Sequence, residues 1–221
     1  MPEKLMPDEH PTPAYAIALA ALRAAGVPHL VGGGLAVQHY GRRRATKDLD
    51  VFIRPPDAER ALRALAAAGF TVMDTDQAWL KKAVRPEVLI DLILVSMGSI
   101  QLTDREIARG LQVELEGVPM RIFKAEDMLL RKIYVIRDEG PDWMDAFSIL
   151  ESKAGQIDWT LVERPELDPR PLAGFLLVAD ARVPGVIPRE VLARHVKRAE
   201  RAYDPGPQRV LPAQASDGCG S

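Results

Sequence analysis

Two aspartates separated by one residue lie in the segment Asp48-Leu49-Asp50-Val51, which alternates acidic and apolar side chains. Such alternation predicts a β-strand, in which residues i and i+2 point to the same face with their Cα atoms roughly 6.5 Å apart. Asp48 and Asp50 are therefore expected to point together into a cleft. Carboxylate oxygens are the ligands that Mg²⁺ and Mn²⁺ prefer, so this spacing indicates a site for a divalent metal ion.

A third aspartate, Asp91, interrupts the apolar run from Val88 to Val95. The run predicts a strand buried on both faces. A carboxylate there is costly unless a cation or several hydrogen-bond donors accompany it. Asp91 alone fits either a buried acid satisfied by backbone donors or an arginine, or a metal ligand. Together with Asp48 and Asp50, it predicts three carboxylates around a divalent metal ion.

Three consecutive glycines, Gly32 to Gly34, separate a predicted strand at His29–Val31 from a predicted helix that begins at Leu35. Glycine permits positive φ and has no Cβ, so a phosphate can approach the backbone N–H groups closely. A tight turn in which glycine only relieves packing is the alternative. The chain has no Gly-x-x-x-x-Gly-Lys-Ser/Thr loop, and Val37 stands where the dinucleotide-binding fingerprint needs its last glycine.

The periodicity of the chain predicts an α/β (α+β) fold with a small mixed sheet and a C-terminal helical half. We divide it into an α/β core at 1–123, a helical domain at 124–203 and a disordered tail at 204–221. The expected helices are Ala14–Ala25, Ala58–Ala68, Glu126–Arg137, Trp143–Ser152, Pro171–Asp180 and Arg189–Ala202. The expected strands, besides those named above, are Asp48–Ile53, Phe70–Met73, Gln112–Glu116 and Pro119–Phe123.

Composition limits the partners. The 221 residues include 29 Lys+Arg and 31 Asp+Glu, for a formal net charge of -2, so no global field attracts nucleic acid or an anionic membrane. Lys81, Lys82 and Arg85 form either a local RNA-binding patch or a solvated loop, and we favour the loop. The single cysteine, Cys219, excludes an intrachain disulfide. The chain shows neither a secretory signal nor a membrane span, which predicts a cytoplasmic protein with no membrane partner.

Three segments together resemble the nucleotidyltransferases of the DNA polymerase β superfamily. They are Gly33-Gly34-Leu35-Ala36, the stretch from Arg44 to Asp50 with sequence RATKDLD, and Asp91 within its apolar strand. The resemblance is strongest to the bacterial branch that includes abortive-infection and toxin–antitoxin enzymes. It implies that Asp48 and Asp50 hold the metals and that Asp91 helps to bind the catalytic metal and to activate the attacking hydroxyl. It also places Gly33 and Gly34 near the triphosphate.

The resemblance continues into the helical half. The segment from Glu126 to Lys132, followed by Asp142 and Asp145, is similar to a helical motif in which a lysine and an aspartate lie near the nucleotide. Lys132 is thereby implied to contact the nucleotide, and a surface lysine is the alternative. Arg44 and Thr46 fall on the family pattern as well, so both are implied to contribute to nucleotide binding.

The implied reaction is metal-dependent transfer of a nucleoside monophosphate from a nucleoside triphosphate to a hydroxyl acceptor, with release of pyrophosphate. The cofactor is Mg²⁺ or Mn²⁺. The acceptor stays open between an RNA end such as that of tRNA, a protein and a small molecule. Membership of the toxin branch would add a cognate antitoxin protein as a partner.

Two alternatives remain. A metal-dependent glycosyltransferase explains Asp48 and Asp50, but it predicts neither Asp91 nor the glycine turn. A degenerate nucleotidyltransferase domain that binds a nucleotide or a partner protein without catalysis is disfavoured by the presence of all three acids.

Overall fold

The computed structural model describes residues 12–42, 46, 48–73, 78–86, 88–135 and 142–203. The predicted tail at 204–221 lies outside the described residues. Arg44, predicted to bind the nucleotide, also lies outside them.

The described strands form a seven-stranded sheet and a two-stranded ribbon. The strands are β1 His29–Val31, β2 Asp48–Ile53, β3 Thr71–Met73, β4 Leu80–Arg85, β5 Val88–Ile93, β6 Val95–Ser96, β7 Ile100–Gln101, β8 Leu111–Leu115 and β9 Val118–Ile122. The order in the large sheet is β3-β4-β5-β2-β1-β9-β8, and β6 pairs with β7 in the ribbon.

The large sheet is mixed. β2 runs antiparallel to β1 and parallel to β5, while β9 runs parallel to β1. The β3–β4, β4–β5 and β8–β9 pairs are antiparallel. The predicted α/β fold with a mixed sheet is confirmed.

The described α-helices are interspersed among the strands in the first half of the chain and follow one another in the second. They are α1 Thr12–Ala24, α2 Gly33–Gln38, α3 Ala58–Ala67, α4 Asp104–Arg109, α5 Ala125–Tyr134, α6 Asp142–Ser152, α7 Trp159–Val162, α8 Pro169–Arg182 and α9 Arg189–Ala202. No described helix has both the length and the apolar character needed to cross a bilayer.

Helix α5 is the central helix of the C-terminal half, since it packs against α6, α7 and α8. All ten of its residues are buried, including acidic and basic ones. Buried side chains from both predicted domains, such as Tyr15, Leu65 and Phe175, belong to one hydrophobic core. The division at residue 123 stays a prediction.

A buried ion cluster connects α4, α5 and the segment after α7. It consists of Glu106, Arg109, Asp127, Arg131 and Arg164. Arg131 Nη1 lies 2.8 Å from Glu106 Oε1, and Arg109 Nε donates to Asp127 Oδ2 at 2.7 Å. Burial alone would raise the pKa of Glu106, but the adjacent guanidinium of Arg131 holds that pKa below its usual value.

Two expectations require correction. Lys81, Lys82 and Arg85 do not form a solvated loop, because all three lie in β4. Strand β5 is not buried on both faces. Its residues alternate between buried and half-buried, and one face is therefore available to line a cleft.

Two short elements between β5 and β9 escaped the sequence analysis, namely the β6–β7 ribbon and α4. Helix α4 does carry a local signal. Thr103 accepts a hydrogen bond from the backbone N–H of Glu106, whose side chain accepts from the backbone N–H of Thr103. This capping box is readable from the Thr-x-x-Glu spacing.

Candidate functional site

Three charged residues lie side by side across the large sheet. Asp50 on β2 is in register with Asp91 on β5, and Asp91 is in register with Lys82 on β4. Residues in register on neighbouring strands share a face and lie about 5 Å apart. The parallel pairing of β2 with β5 thus brings together two acids that are distant in the chain.

Lys82 supplies a cation for Asp91. Its ammonium lies 2.8 Å from Asp91 Oδ1, with side-chain exposed fractions of 27% for Lys82 and 18% for Asp91. Asp91 was predicted to need a cation or several donors, and in this structure a lysine meets that need. The lysine also shows that a cation is stable at this carboxylate.

The glycine turn meets the second acid directly. Gly33 has a φ of +61°, and a Cβ at this position would lie 1.6 Å from Asp50 Oδ2. Any other residue would therefore displace the Asp50 carboxylate. Close approach of Asp50 gives a structural reason for glycine at position 33, in addition to the predicted approach of a phosphate.

Asp48 begins β2 and is exposed. The Thr46 hydroxyl donates to the backbone carbonyl of Asp48 at 3.3 Å, so this side chain contacts the start of the acid-bearing strand. Behind the strand, Tyr15 is fully buried. Burial, followed by the charges of Asp48 and Asp50, raises the pKa of Tyr15 to about 12.

These residues line a cleft of about 330 Å³ between the sheet and α5. The polar part of its lining comprises Gly33, Gly34, Thr46, Asp48, Asp50, Asp91, Ser96, Arg131, Lys132 and Asp142. The apolar part comprises Phe52, Trp79, Ile93, Val95, Met97, Met128 and Val135. The predicted site residues other than Arg44 are thus all in one cleft.

Lys132 is a buried, paired lysine and not the surface lysine of the alternative interpretation. Its Nζ lies 2.7 Å from Asp142 Oδ1 and 2.9 Å from Asp145 Oδ2. Arg42 also pairs with Asp145. The motif residues on α5 and α6 therefore meet at the helical wall of the cleft.

The acids of the cleft fit a divalent cation by their chemistry, since all three predicted ligands are carboxylates and one already holds an ammonium. They do not form a preassembled cluster. Among the residues that the structure describes, no group of three acidic, histidine or cysteine side chains is positioned to hold a metal ion.

Lys82, which pairs with Asp91, and Trp79 and Met97, which line the cleft, are parts of the site that were not predicted from the sequence. The sequence carries no signal for Lys82, because Leu80 and Ala83, the buried positions of β4, are three residues apart and do not show the strict alternation of a strand. Trp79 and Met97 lie in short connections, and a lone exposed aromatic or methionine has no spacing that would identify it.

Comparison with known protein families gives a match over residues 12–167 to the family described as "Nucleotidyl transferase of unknown function (DUF2204)". No curated protein matches the chain significantly.

Solved structures provide further similarities. The antibiotic-resistance factor ANT(2'')-Ia is 19% identical, with a TM-score of 0.50 over 77% of this chain and 93% of that chain. The lincomycin-bound lincosamide antibiotic adenylyltransferase LnuA is 11% identical, with a TM-score of 0.47 over 64% of this chain and 98% of that chain. A nucleotidyltransferase-like protein from Paracoccidioides brasiliensis is 17% identical, with a TM-score of 0.48 over 84% of this chain and 92% of that chain. The similarity to ANT(2'')-Ia shows a shared fold.

Proposed function

The chain belongs to the DUF2204 family of nucleotidyl transferases, and from this premise we propose that its cleft moves a nucleoside monophosphate from a nucleoside triphosphate to a hydroxyl acceptor. Family membership confirms the predicted enzyme class. In the proposed reaction the acceptor oxygen bonds to the α-phosphorus and loses its proton to the carboxylate of Asp91. The bond from that phosphorus to the β-phosphate oxygen breaks, and pyrophosphate leaves.

The observation that carries the proposal is the row formed by Asp50, Asp91 and Lys82 on one face of the sheet. Two carboxylates held side by side repel each other, so the arrangement costs stability unless a ligand uses it. The row opens onto the cleft that also contains Gly33 and Gly34. This is the arrangement expected for binding a cation together with a triphosphate.

Mg²⁺ or Mn²⁺ would be held by Asp48, Asp50 and Asp91. It would supply the charge neutralisation that a triphosphate needs next to three carboxylates. Asp91 is the acid farthest from the glycine turn in the strand order, and we assign it to the acceptor hydroxyl. Gly33 and Gly34 are assigned to the phosphates.

Thr46 and Lys132 complete the proposed nucleotide site. Thr46 contacts the strand that carries Asp48 and also lines the cleft. Lys132 lines the cleft from the helical side, where Asp142 and Asp145 fix its ammonium. We propose that this ammonium orients the nucleotide as a fixed charge. We propose a cytoplasmic location, where nucleoside triphosphates are available.

Replacement of Asp50 tests the function. Purified protein is incubated with Mg²⁺, each of the four labelled ribonucleoside triphosphates, and total RNA, total protein or a small-molecule extract. We expect label transfer with release of pyrophosphate, and a loss of about a thousandfold or more in Asp50→Asn, because this change removes a charge at the reacting centre.

The control is Asp104→Asn, since Asp104 is an exposed aspartate whose side chain is 82% accessible and lies outside the cleft. Full activity in Asp50→Asn would contradict the assignment. Nucleotide binding without pyrophosphate release would support the degenerate domain instead. Toxicity on expression that disappears with Asp50→Asn would support the toxin branch and the search for a cognate antitoxin.

A further inference from the structure

One end of the cleft is apolar and exposed. Trp79 immediately precedes β4, and Met97 begins the turn between β6 and β7. Their exposed fractions are 47% for Trp79 and 57% for Met97, and both side chains line the cleft. The catalytic roles proposed above use neither residue.

Both side chains project from anchored backbone. The Trp79 carbonyl accepts hydrogen bonds from the backbone N–H groups of Leu94 at 2.9 Å and Val95 at 3.2 Å. At Gly98, next to Met97, a Cβ would lie 2.9 Å from the Tyr134 ring, so this turn packs closely against α5. An apolar surface held in place in this way is suited to binding a ligand.

The strand order shows which ligand this surface would contact. The glycine turn follows β1, and Trp79 precedes β4, with β2 and β5 between them. In phosphoryl transfer the attacking and leaving oxygens are roughly in line. If pyrophosphate leaves toward Gly33 and Gly34, the acceptor approaches from the side of Asp91 and Trp79.

Charge distinguishes among acceptor classes. The basic side chains that line the cleft within the described residues are Arg131 and Lys132, and each is paired with a carboxylate. Lys82, next to this end, is paired with Asp91. A nucleic-acid end requires Lys and Arg for its phosphates. An exposed indole favours the apolar face of a sugar or aromatic ring, or a cation above it.

Resting on the function proposed above, we infer that Trp79 and Met97 form the acceptor subsite, and that the acceptor is a small, uncharged or cationic hydroxyl compound with an apolar ring face. The indole stacks on the ring, and the flexible thioether of Met97 adapts to its outline. The acceptor hydroxyl then points toward Asp91.

Calorimetry tests the subsite without relying on turnover. The full chain is titrated with 4-nitrophenyl β-D-glucopyranoside as the ring-bearing probe, in Mg²⁺ and the α,β-methylene analogue of the nucleotide that binds. We expect Trp79→Ala to weaken glucoside binding about tenfold, a typical loss for an aromatic stacking contact, while the analogue binds as before. Trp79→Phe retains a ring and should lose less than about threefold.

The matched control is Leu177→Ala, which removes an apolar side chain that is 50% exposed on α8 outside the cleft. This variant should bind the glucoside and the nucleotide analogue with the same affinities as the wild type. In the transfer assay, Trp79→Ala should raise KM for the acceptor and leave KM for the nucleotide unchanged, whereas a folding defect would alter both.

Several results would overturn the inference. These are equal glucoside affinity in Trp79→Ala, loss of nucleotide binding in that variant, no glucoside binding by the wild type, or tighter binding of a 12-nucleotide RNA with a free 3′-hydroxyl. Failure of the proposed function looks different, because the wild type would then release no pyrophosphate with any acceptor.

Discussion

The acids of the cleft and those of the buried ion cluster have the same chemistry in different surroundings. In the buried ion cluster, Glu106 and Asp127 are 1% and 0% exposed and contact several guanidinium groups. In the cleft, Asp48 is exposed, and Asp50 lies in register with another aspartate. The buried ion cluster surrounds two acids with three guanidinium groups, whereas in the cleft two aspartates lie in register with each other and Lys82 pairs with Asp91.

This difference separates structural from functional charge. A buried carboxylate that is fully paired contributes to stability only through its partners, and removing one partner is costly. Like charges held side by side destabilise the fold, and they persist where a ligand stabilises them. Arg131 belongs to the buried ion cluster and also lines the cleft, so the two groups are adjacent on α5.

Arg131→Met gives the largest expected effect on stability. The substitution leaves Glu106 buried without its nearest guanidinium, so we expect the free energy of unfolding to fall by about 3 kcal/mol. Arg164 still lies 3.3 Å from Glu106, which keeps the loss at the lower end of the range for broken buried pairs. Urea unfolding followed by far-UV circular dichroism measures the change.

Asp50→Asn is the contrasting variant. It removes one of two like charges in register at a partly exposed position, so we expect a much smaller fall in the free energy of unfolding than in Arg131→Met. A loss as large as that of Arg131→Met would show that Asp50 is a structural acid, and the distinction between the two groups would fail.

The sequence predicted the acid-bearing strand closely. Alternation identified Asp48 to Ile53, and β2 has those bounds. The cost of burying Asp91 indicated that it needs a partner, which Lys82 supplies. Local periodicity and elementary electrostatics were sufficient for both inferences, because each depends on a residue and its immediate neighbours.

The partner itself could not be predicted. Lys81 and Lys82 are adjacent polar residues that interrupt the apolar positions of a strand, and their pattern resembles that of a solvated loop. Only the antiparallel register of β4 with β5 places Lys82 opposite Asp91. Register between strands depends on the packing of the whole sheet, and the local sequence specifies it weakly.

Lys82→Met should increase the affinity of the cleft for a divalent cation, because it removes a positive charge beside Asp91. Since both partners are partly exposed, we expect a modest gain of about 1 kcal/mol, or about fivefold in Kd. Binding of Mn²⁺ to the nucleotide-free protein, followed by electron paramagnetic resonance, measures the gain.

Lys81→Met is the matched control. Lys81 pairs in register with Leu92 and points to the other face of β4, so its loss should leave Mn²⁺ affinity within about twofold of the wild type. Weaker Mn²⁺ binding in Lys82→Met would mean that Lys82 assists the cation site, and unchanged binding would mean that it does not compete with the cation.

His195 is a buried polar residue that belongs neither to the cleft nor to the buried ion cluster. It is 1% exposed, and neither ring nitrogen has a hydrogen-bond partner within the described part of the chain. Burial lowers the pKa of His195 below 6.5, against the opposing charge of Glu163, while Arg194 and Arg198 lower it further. The folded protein therefore holds a neutral imidazole, and the unfolded chain binds the proton more readily.

The sign of the pH dependence follows from this difference. The neutral imidazole of His195 contributes to the free energy of unfolding above pH 6.5. This contribution is lost as pH falls, at a rate of at most about 1.4 kcal/mol per pH unit. Urea unfolding at pH 7.5 and pH 5.5 should show a smaller difference in His195→Leu than in the wild type. His39→Gln, at an exposed position, should keep most of the difference. If His195→Leu shows the same difference in free energy of unfolding between the two pH values as the wild type, the folded protein accommodates a charged imidazole beside Glu163. His195 would then be a buried charge with a partner, as the acids of the buried ion cluster are.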